Sequence, residues 1–114
     1  MSFFKSEVVR AEMTEIAILQ DDICNNIYTF HLMSRDDKKF HINLLQKLLE
    51  KQQILYTRVS LSDDPEAKDM KARIMESATL MGLPENTDMN VIFNNMKSLI
   101  TLMRSQLDRE EELT

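Results

Sequence analysis

Apolar residues recur at three- and four-residue steps along most of the chain, with polar residues filling the positions between them. That spacing collects side chains on one face of an α-helix, whereas a strand would alternate them between two faces. The first helix is predicted from about Lys5 to Phe30, with Val9, Met13, Ile16, Ile23, Ile27 and Phe30 as its stripe and Leu19 on the flank. Glu7, Glu12, Glu15, Asp21 and Asp22 fall mostly outside that stripe. Acidic residues near the start also suit the positive end of the helix dipole. His31-Leu32-Met33 makes a short connection, after which Ser34 is placed to cap a second helix. Its hydroxyl can accept from the amide three residues on, with Asp37 reaching back in a weakened capping box.

The second helix is predicted to run to about Ser60, and its apolar arc is unusually wide. Ile42, Leu44, Leu45, Leu48, Leu49, Leu55, Tyr56 and Val59 cover roughly 160° of its circumference, against ~100° for an ordinary surface helix. Phe40 and Ile54 lie outside even that arc. Packing on two sides is the expected consequence. His41 and Gln52 sit side by side in projection within the arc. Buried polar groups there need partners and can fix the register of a helical interface.

Ser62-Asp63-Asp64-Pro65-Glu66 marks a boundary: Asp64 caps, Pro65 takes the first helical position, and Glu66 favours the dipole. The third helix carries Ala67, Met70, Ile74, Ala78 and Met81 on its apolar seam, and Met81-Gly82-Leu83-Pro84 stops it. Gly82 suits the left-handed position past a helix end, and Pro84 blocks continuation. Thr87 or Asp88 caps the fourth helix, whose seam of Met89, Phe93, Met96, Ile100, Met103 and Leu107 has coiled-coil spacing. Glu110, Glu111 and Glu112 oppose the dipole at its end. The expected organisation is one helical domain over residues 1–107 and a frayed acidic tail over 108–114.

Composition narrows the class further. A single glycine in 114 residues nearly excludes an all-β fold, whose turns need residues tolerant of positive φ. The fold class is therefore all-α: four helices in an elongated antiparallel hairpin or bundle. Two helices of about 26 residues are each about 40 Å long, too long for a sphere whose radius of gyration is near 13 Å. Such length leaves faces to cover, and completion by dimerisation is expected. The proposed self-association face is Leu44, Leu45, Leu48, Leu49, Gln52, Leu55, Tyr56 and Val59. One cysteine cannot form an intrachain disulfide. The opening Met1-Ser2-Phe3-Phe4-Lys5 lacks the charged start and long apolar core of a signal peptide, and the longest apolar run is the four residues Ile16 to Leu19. A cytoplasmic protein with no membrane partner is expected.

Little in the chain suggests catalysis. No glutamate has a histidine three residues later, no His-Glu-x-x-His occurs, and His31 and His41 are the only histidines. No metal or other cofactor is expected. One glycine cannot build a phosphate-cradling loop, and no Gly-x-Ser-x-Gly is present, so the chain is not expected to be an enzyme. Cys24, at the edge of the first stripe with Asp21 and Asp22 nearby, is expected to be a small buried hydrophobe and not a reactive thiol.

Two features point to partners. Lys5 to His31 holds two basic and five acidic residues, while Arg35 to Leu61 holds six basic and three acidic. Lys47, Lys51 and Arg58 form a basic stripe beside the apolar arc. It is expected to pair with the acidic first helix, nucleic-acid binding being the alternative, disfavoured by net charge -5. Of nine methionines, Met70, Met81, Met89, Met96 and Met103 fall on core seams of the third and fourth helices. They serve packing first, or else line a groove able to accept a partner helix.

The stretch Ile54 to Lys68, the Met81-Gly82-Leu83-Pro84 stop with Asp88 to Phe93 after it, and the opening Phe3-Phe4-Lys5-Ser6-Glu7-Val8-Val9 form three blocks. Together they resemble a family of short helical proteins of unknown function found in cyanobacteria and their phages. The resemblance extends from Phe3 to about Leu107. It rests on turns and caps, so it implies shared architecture and transfers no catalytic residue. It also implies a cytoplasmic setting and, for a phage copy, either manipulation of host regulation or metabolism, with a host protein as candidate partner, or a small accessory role in virus development. The functional expectation is a non-enzymatic protein-interaction or regulatory module acting as a homodimer.

Overall fold

The computed structural model describes residues 3–80, 82–84 and 88–112. A 3-10 turn at Phe3–Lys5 leads into α1 (Glu7–Asn26), followed by a 3-10 segment at Ile27–Leu32. Then come α2 (Arg35–Leu61), α3 (Pro65–Leu80) and α4 (Met89–Glu112). The class is all-α, with four α-helices and no strand among the described residues.

The first helix is shorter than its apolar pattern suggests, because both ends are cut by local chemistry. Ser6 stands as its cap, with its hydroxyl accepting from the Val9 amide at 3.5 Å. At the other end Asn26 turns its side chain back onto the Asp22 carbonyl at 2.8 Å. The β-branched and aromatic run Ile27-Tyr28-Thr29-Phe30 then has low helix propensity and tightens into 3-10 geometry. Ile27, placed in the predicted stripe, is consequently 54% exposed, and Met13 is also exposed.

The other boundaries follow their caps. Ser34 accepts from the Asp37 amide at 3.2 Å. Asp64 accepts from the Glu66 amide at 2.8 Å, starting α3 at Pro65. Gly82 adopts φ 97°, the left-handed conformation anticipated for a helix stop. Asp88 caps α4 through the Asn90 amide at 2.9 Å. Met81 and Thr87, named in the same stop and cap, lie outside the described residues. α4 continues through Glu112, into the stretch expected to fray.

Helix α2 is the centre of the molecule. On one side Lys51 pairs with Glu15, and Arg58 with Glu12 at 2.8 Å, so α1 runs antiparallel to it. On the other side Arg104 donates to Asn43 at 2.7 Å and also to Gln46, and Phe93 meets Tyr56 with ring centroids 5.8 Å apart. α4 is therefore antiparallel to α2 as well. α3 packs against α2 and against the first 3-10 turn, whose Phe3 amide donates to Asp64 at 2.7 Å. The dimensions are 55 × 32 × 20 Å with a radius of gyration of 16.6 Å, well above the ~13 Å of a compact chain of this length.

The core is correspondingly thin. Val9, Ile16 and Leu55 form its cluster, with Phe3, Phe4 and Leu48 packed against it. Ile42 and Val59 are the largest fully buried side chains. Cys24, expected to be buried at the stripe's edge, is exposed instead, since α1 offers only the face of Val9, Ile16, Leu19 and Ile23 to the core.

Candidate functional site

The eight residues of the expected self-association face do not form one open surface. Leu49, Leu55 and Val59 are buried within the chain, and Leu44, Leu45, Leu48, Gln52 and Tyr56 are half-buried. The breadth of the α2 arc has an internal cause: α1 covers one flank, α4 the other, and α3 the end around Val59. Leu49, Leu55 and Val59 expose little of themselves, although each lines the floor of the open strip between those flanks.

What stays open is the strip between those flanks. Among the described residues the backbones of α1 and α4 never come within 8 Å of each other, although both lie against α2. The result is an apolar trench with α2 as its floor. Its upper part, 420 Å3, is lined by Ile16 and Gln20 of α1, by Gln52 and Tyr56 of α2, and by Met89 and Met96 of α4, among others. Met70 and Ile74 of α3 close that end. A continuation of 240 Å3 runs over Leu45 and Leu48, with Met96 and Leu99 as its wall, and Gln52 lines both parts. No lining residue in either part is charged.

Two sequence-level candidates thereby merge. Met70, Met89 and Met96 of the Met-lined groove face the same trench as Leu45, Leu48, Gln52 and Tyr56 of the association face. The groove does not lie directly between the third and fourth helices, because the backbones of α3 and α4 also stay beyond 8 Å among the described residues. Both helices approach α2 and leave the space over it. Met103 is half-buried further along α4, and Met81 lies outside the described residues.

Leu99, Leu102 and Val91 are functional candidates that sequence reasoning passed over. They are 59%, 48% and 52% exposed, and they widen the apolar face of α4 beyond its seam. At 100° per residue the three fall within about 80° of one another, next to Met96 and Met103. The same circumferential reading applied to α2 would have found them.

The basic stripe is largely spent inside the fold. Lys51 and Arg58 are engaged by Glu15 and Glu12, leaving Lys47 exposed at the edge. The hydrogen bond from Lys51 and its charge, with Lys47 adding to them, hold the Glu15 carboxyl below its ordinary range. These exposed pairs set the register of α1 on α2 more than they stabilise it.

His41 does not pair with Gln52, which sits in the trench. It is buried beneath the second 3-10 segment, its ring 5.2 Å from Phe30, while the Lys38 ammonium lies 5.8 Å over the Phe30 face. Burial pushes the imidazole below its ordinary value of 6.5. Since the unfolded chain takes up that proton at higher pH than the folded one, stability is fully present above about pH 6.5. It declines as pH falls toward the lowered folded value. Urea midpoints at pH 7.5 and 5.5 should therefore differ in wild type, and His41→Phe should reduce the difference. An unchanged difference in the variant would assign the pH dependence elsewhere.

Among the described residues no group of three His, Cys, Asp or Glu side chains could hold a metal ion, and no helix is long and apolar enough to cross a membrane. No curated protein and no solved structure matches the chain. A family match does exist, and it spans every residue that lines the trench. Over residues 1–107 the chain matches the family described as a domain of unknown function (DUF1825), and it belongs to that family.

Proposed function

We propose that the protein is a non-enzymatic interaction module whose trench receives an α-helix of a polypeptide partner. The observation that carries this reading is the gap between α1 and α4 over α2, lined without charge and spanning Leu45 to Val59 of the floor helix. Helices pack at 8–10 Å between axes, so two flanking helices held apart on a common neighbour leave a groove that a further helix can fill. An amphipathic helix laid there gains by burying its apolar face, the usual helix-in-groove mode. The methionines suit such a role, since flexible thioethers adapt to the shape that enters. In the cyanobacterial or cyanophage setting implied by the resemblance, a host protein is one such partner and a second copy of the chain is another. Regulation through occupancy of the trench follows from either. Nucleic-acid binding has less support, because Lys51 and Arg58 already face glutamates.

A photoreactive residue at position 52 tests this reading in the producing cell. The expected product is a covalent adduct with a polypeptide, lost when Met96→Asp is added. Adducts with small molecules only, or a polypeptide adduct indifferent to Met96→Asp, would remove the proposal.

A further inference from the structure

A second cavity lies where the 3-10 segment Ile27–Leu32 packs against the start of α2, and it shares no lining residue with the trench. Its volume is 540 Å3, within the range of small-molecule sites. Helix geometry builds its two walls. Asn26, Thr29 and Leu32 are three apart, and a 3-10 helix has three residues per turn, so the segment stacks them on one face. Had α1 simply continued, the same three would spread over about 120° of its circumference. Opposite them, Asp37, His41 and Leu44 share one face of α2 at four- and three-residue steps, with Phe40 on its flank.

The polar atoms of this lining are mostly acceptors. The Asn26 side-chain amide donates to the Asp22 carbonyl at 2.8 Å. The Thr29 hydroxyl donates its one hydrogen to the Asn26 carbonyl at 3.2 Å. What both side chains keep free is chiefly oxygen lone pairs. Asp37 adds an exposed carboxylate and is the one charged residue in the lining at neutral pH, since burial keeps the His41 imidazole uncharged there. His41 is only 4% exposed, and its ring has no hydrogen-bond partner among the described residues. A buried polar group without a partner costs free energy that a ligand reaching it recovers. Leu32, Met33, Phe40 and Leu44 make the rest of the lining apolar, and Leu32 and Phe40 stand 75% and 64% exposed.

We propose that this cavity binds a primary ammonium group carried on an apolar stem. The ammonium brings three N–H donors to a lining short of them, and the Asp37 carboxylate supplies the opposite charge. The stem covers Leu32, Phe40 and Leu44, and the Phe40 ring offers a face that attracts a cation. An anion, which the N-terminus of α2 would otherwise draw, meets the carboxylate of Asp37 instead. Lys38 does not compete for the place: it is outside the lining, with its ammonium over the Phe30 ring. This site and the helix-binding trench stand on separate residues, and neither proposal rests on the other.

Titration with n-hexylamine, followed by NMR of the histidine rings, tests the proposal. His31 and His41 are the only histidines, and exposed His31 is outside the lining, so it serves as an internal control. Hexylamine should shift the His41 resonances to saturation in the millimolar range or below and leave those of His31 in place. Hexanoate, of equal length and opposite charge, should shift neither. Asp37→Asn should weaken binding by about tenfold or more, the usual loss for a hydrogen bond to a charged group. Asp36→Asn removes the same charge one residue away and outside the lining, and should leave the affinity unchanged. Both positions are exposed, so both variants should keep the wild-type circular dichroism spectrum. Nα-acetyl-lysine methylamide separates two sources of the same chemistry. Tighter binding than hexylamine assigns the site to a lysine side chain of a polypeptide, and weaker binding assigns it to a free amine. No shift at His41, equal shifts with hexanoate, or an affinity indifferent to Asp37→Asn would overturn the proposal.

Discussion

Ile42→Ala is expected to lower unfolding stability by about 3 kcal/mol, the usual range for truncating a fully buried branched side chain. Ile42 is 1% exposed, on the side of α2 that faces α4. It neighbours Asn43, which accepts from Arg104, so it sits level with the stretch of α4 that contains buried Leu107. In a core this thin few side chains can move in to fill the vacancy. Lost transfer energy and the residual cavity therefore both count. For a domain of this size the melting temperature should fall by roughly 10–20 °C at fixed protein concentration. Ile54→Ala, on the same helix but half in water, should change stability by less than about 0.5 kcal/mol. Chemical denaturation followed at 222 nm gives both values. Equal effects at the two positions would mean that α2 and α4 do not pack as described.

Asp64→Ala should cost about 2–3 kcal/mol, more than an ordinary helix cap, because its two oxygens hold two different parts of the chain. One accepts from the Glu66 amide at 2.8 Å and starts α3. The other accepts from the Phe3 amide at 2.7 Å, tying the first 3-10 turn to the α2–α3 junction across 61 residues of sequence. Phe3 and Phe4, edge to face at 5.2 Å, are held by that bond against Val9, Ile16 and Leu55. Releasing them thins the core where it is best formed. Asp64→Asn should lose less, since its amide oxygen can still cap α3. Hydrogen exchange separates the two roles. In Asp64→Ala, protection should fall both at the start of α3 and at the amides near Val9. Loss confined to α3 would show that the N-terminal bond contributes nothing.

Asp64 also shows how far local reading reaches. Its role as a cap is legible in Ser62-Asp63-Asp64-Pro65-Glu66, because a cap involves atoms two or three residues apart. Ser34 and Gly82 are legible for the same reason. The hold on Phe3 is not, since nothing near either residue records a contact 61 positions away. The ion pairs of Lys51 and Arg58 fall between these cases. Complementary charge on two adjacent segments suggests antiparallel pairing, and the turn at Ser34 makes that pairing the nearest one available.

Errors at the ends of α1 have a common source. Period alone carried the predicted helix from Lys5 to Phe30, since Ile27 and Phe30 fit the apolar spacing. The β-branched and aromatic residues after Asn26 instead favour a tighter turn that brings Phe30 over His41. There, side-chain bulk and the need to reverse direction outweigh periodicity.

Spacing, caps and a single glycine were enough to establish an all-α chain, its four helices and most of their boundaries, because each depends on interactions within about one helical turn. Which face of α2 is covered, and by what, depends on helices distant in sequence. α1 and α4 both dock on α2 without meeting each other, and α3 settles at the end. Packing alone therefore decided that two separate candidate surfaces become one trench. Hydrophobic contact is non-directional: the pattern marks which residues seek cover, and only the tertiary arrangement settles which of them obtain it.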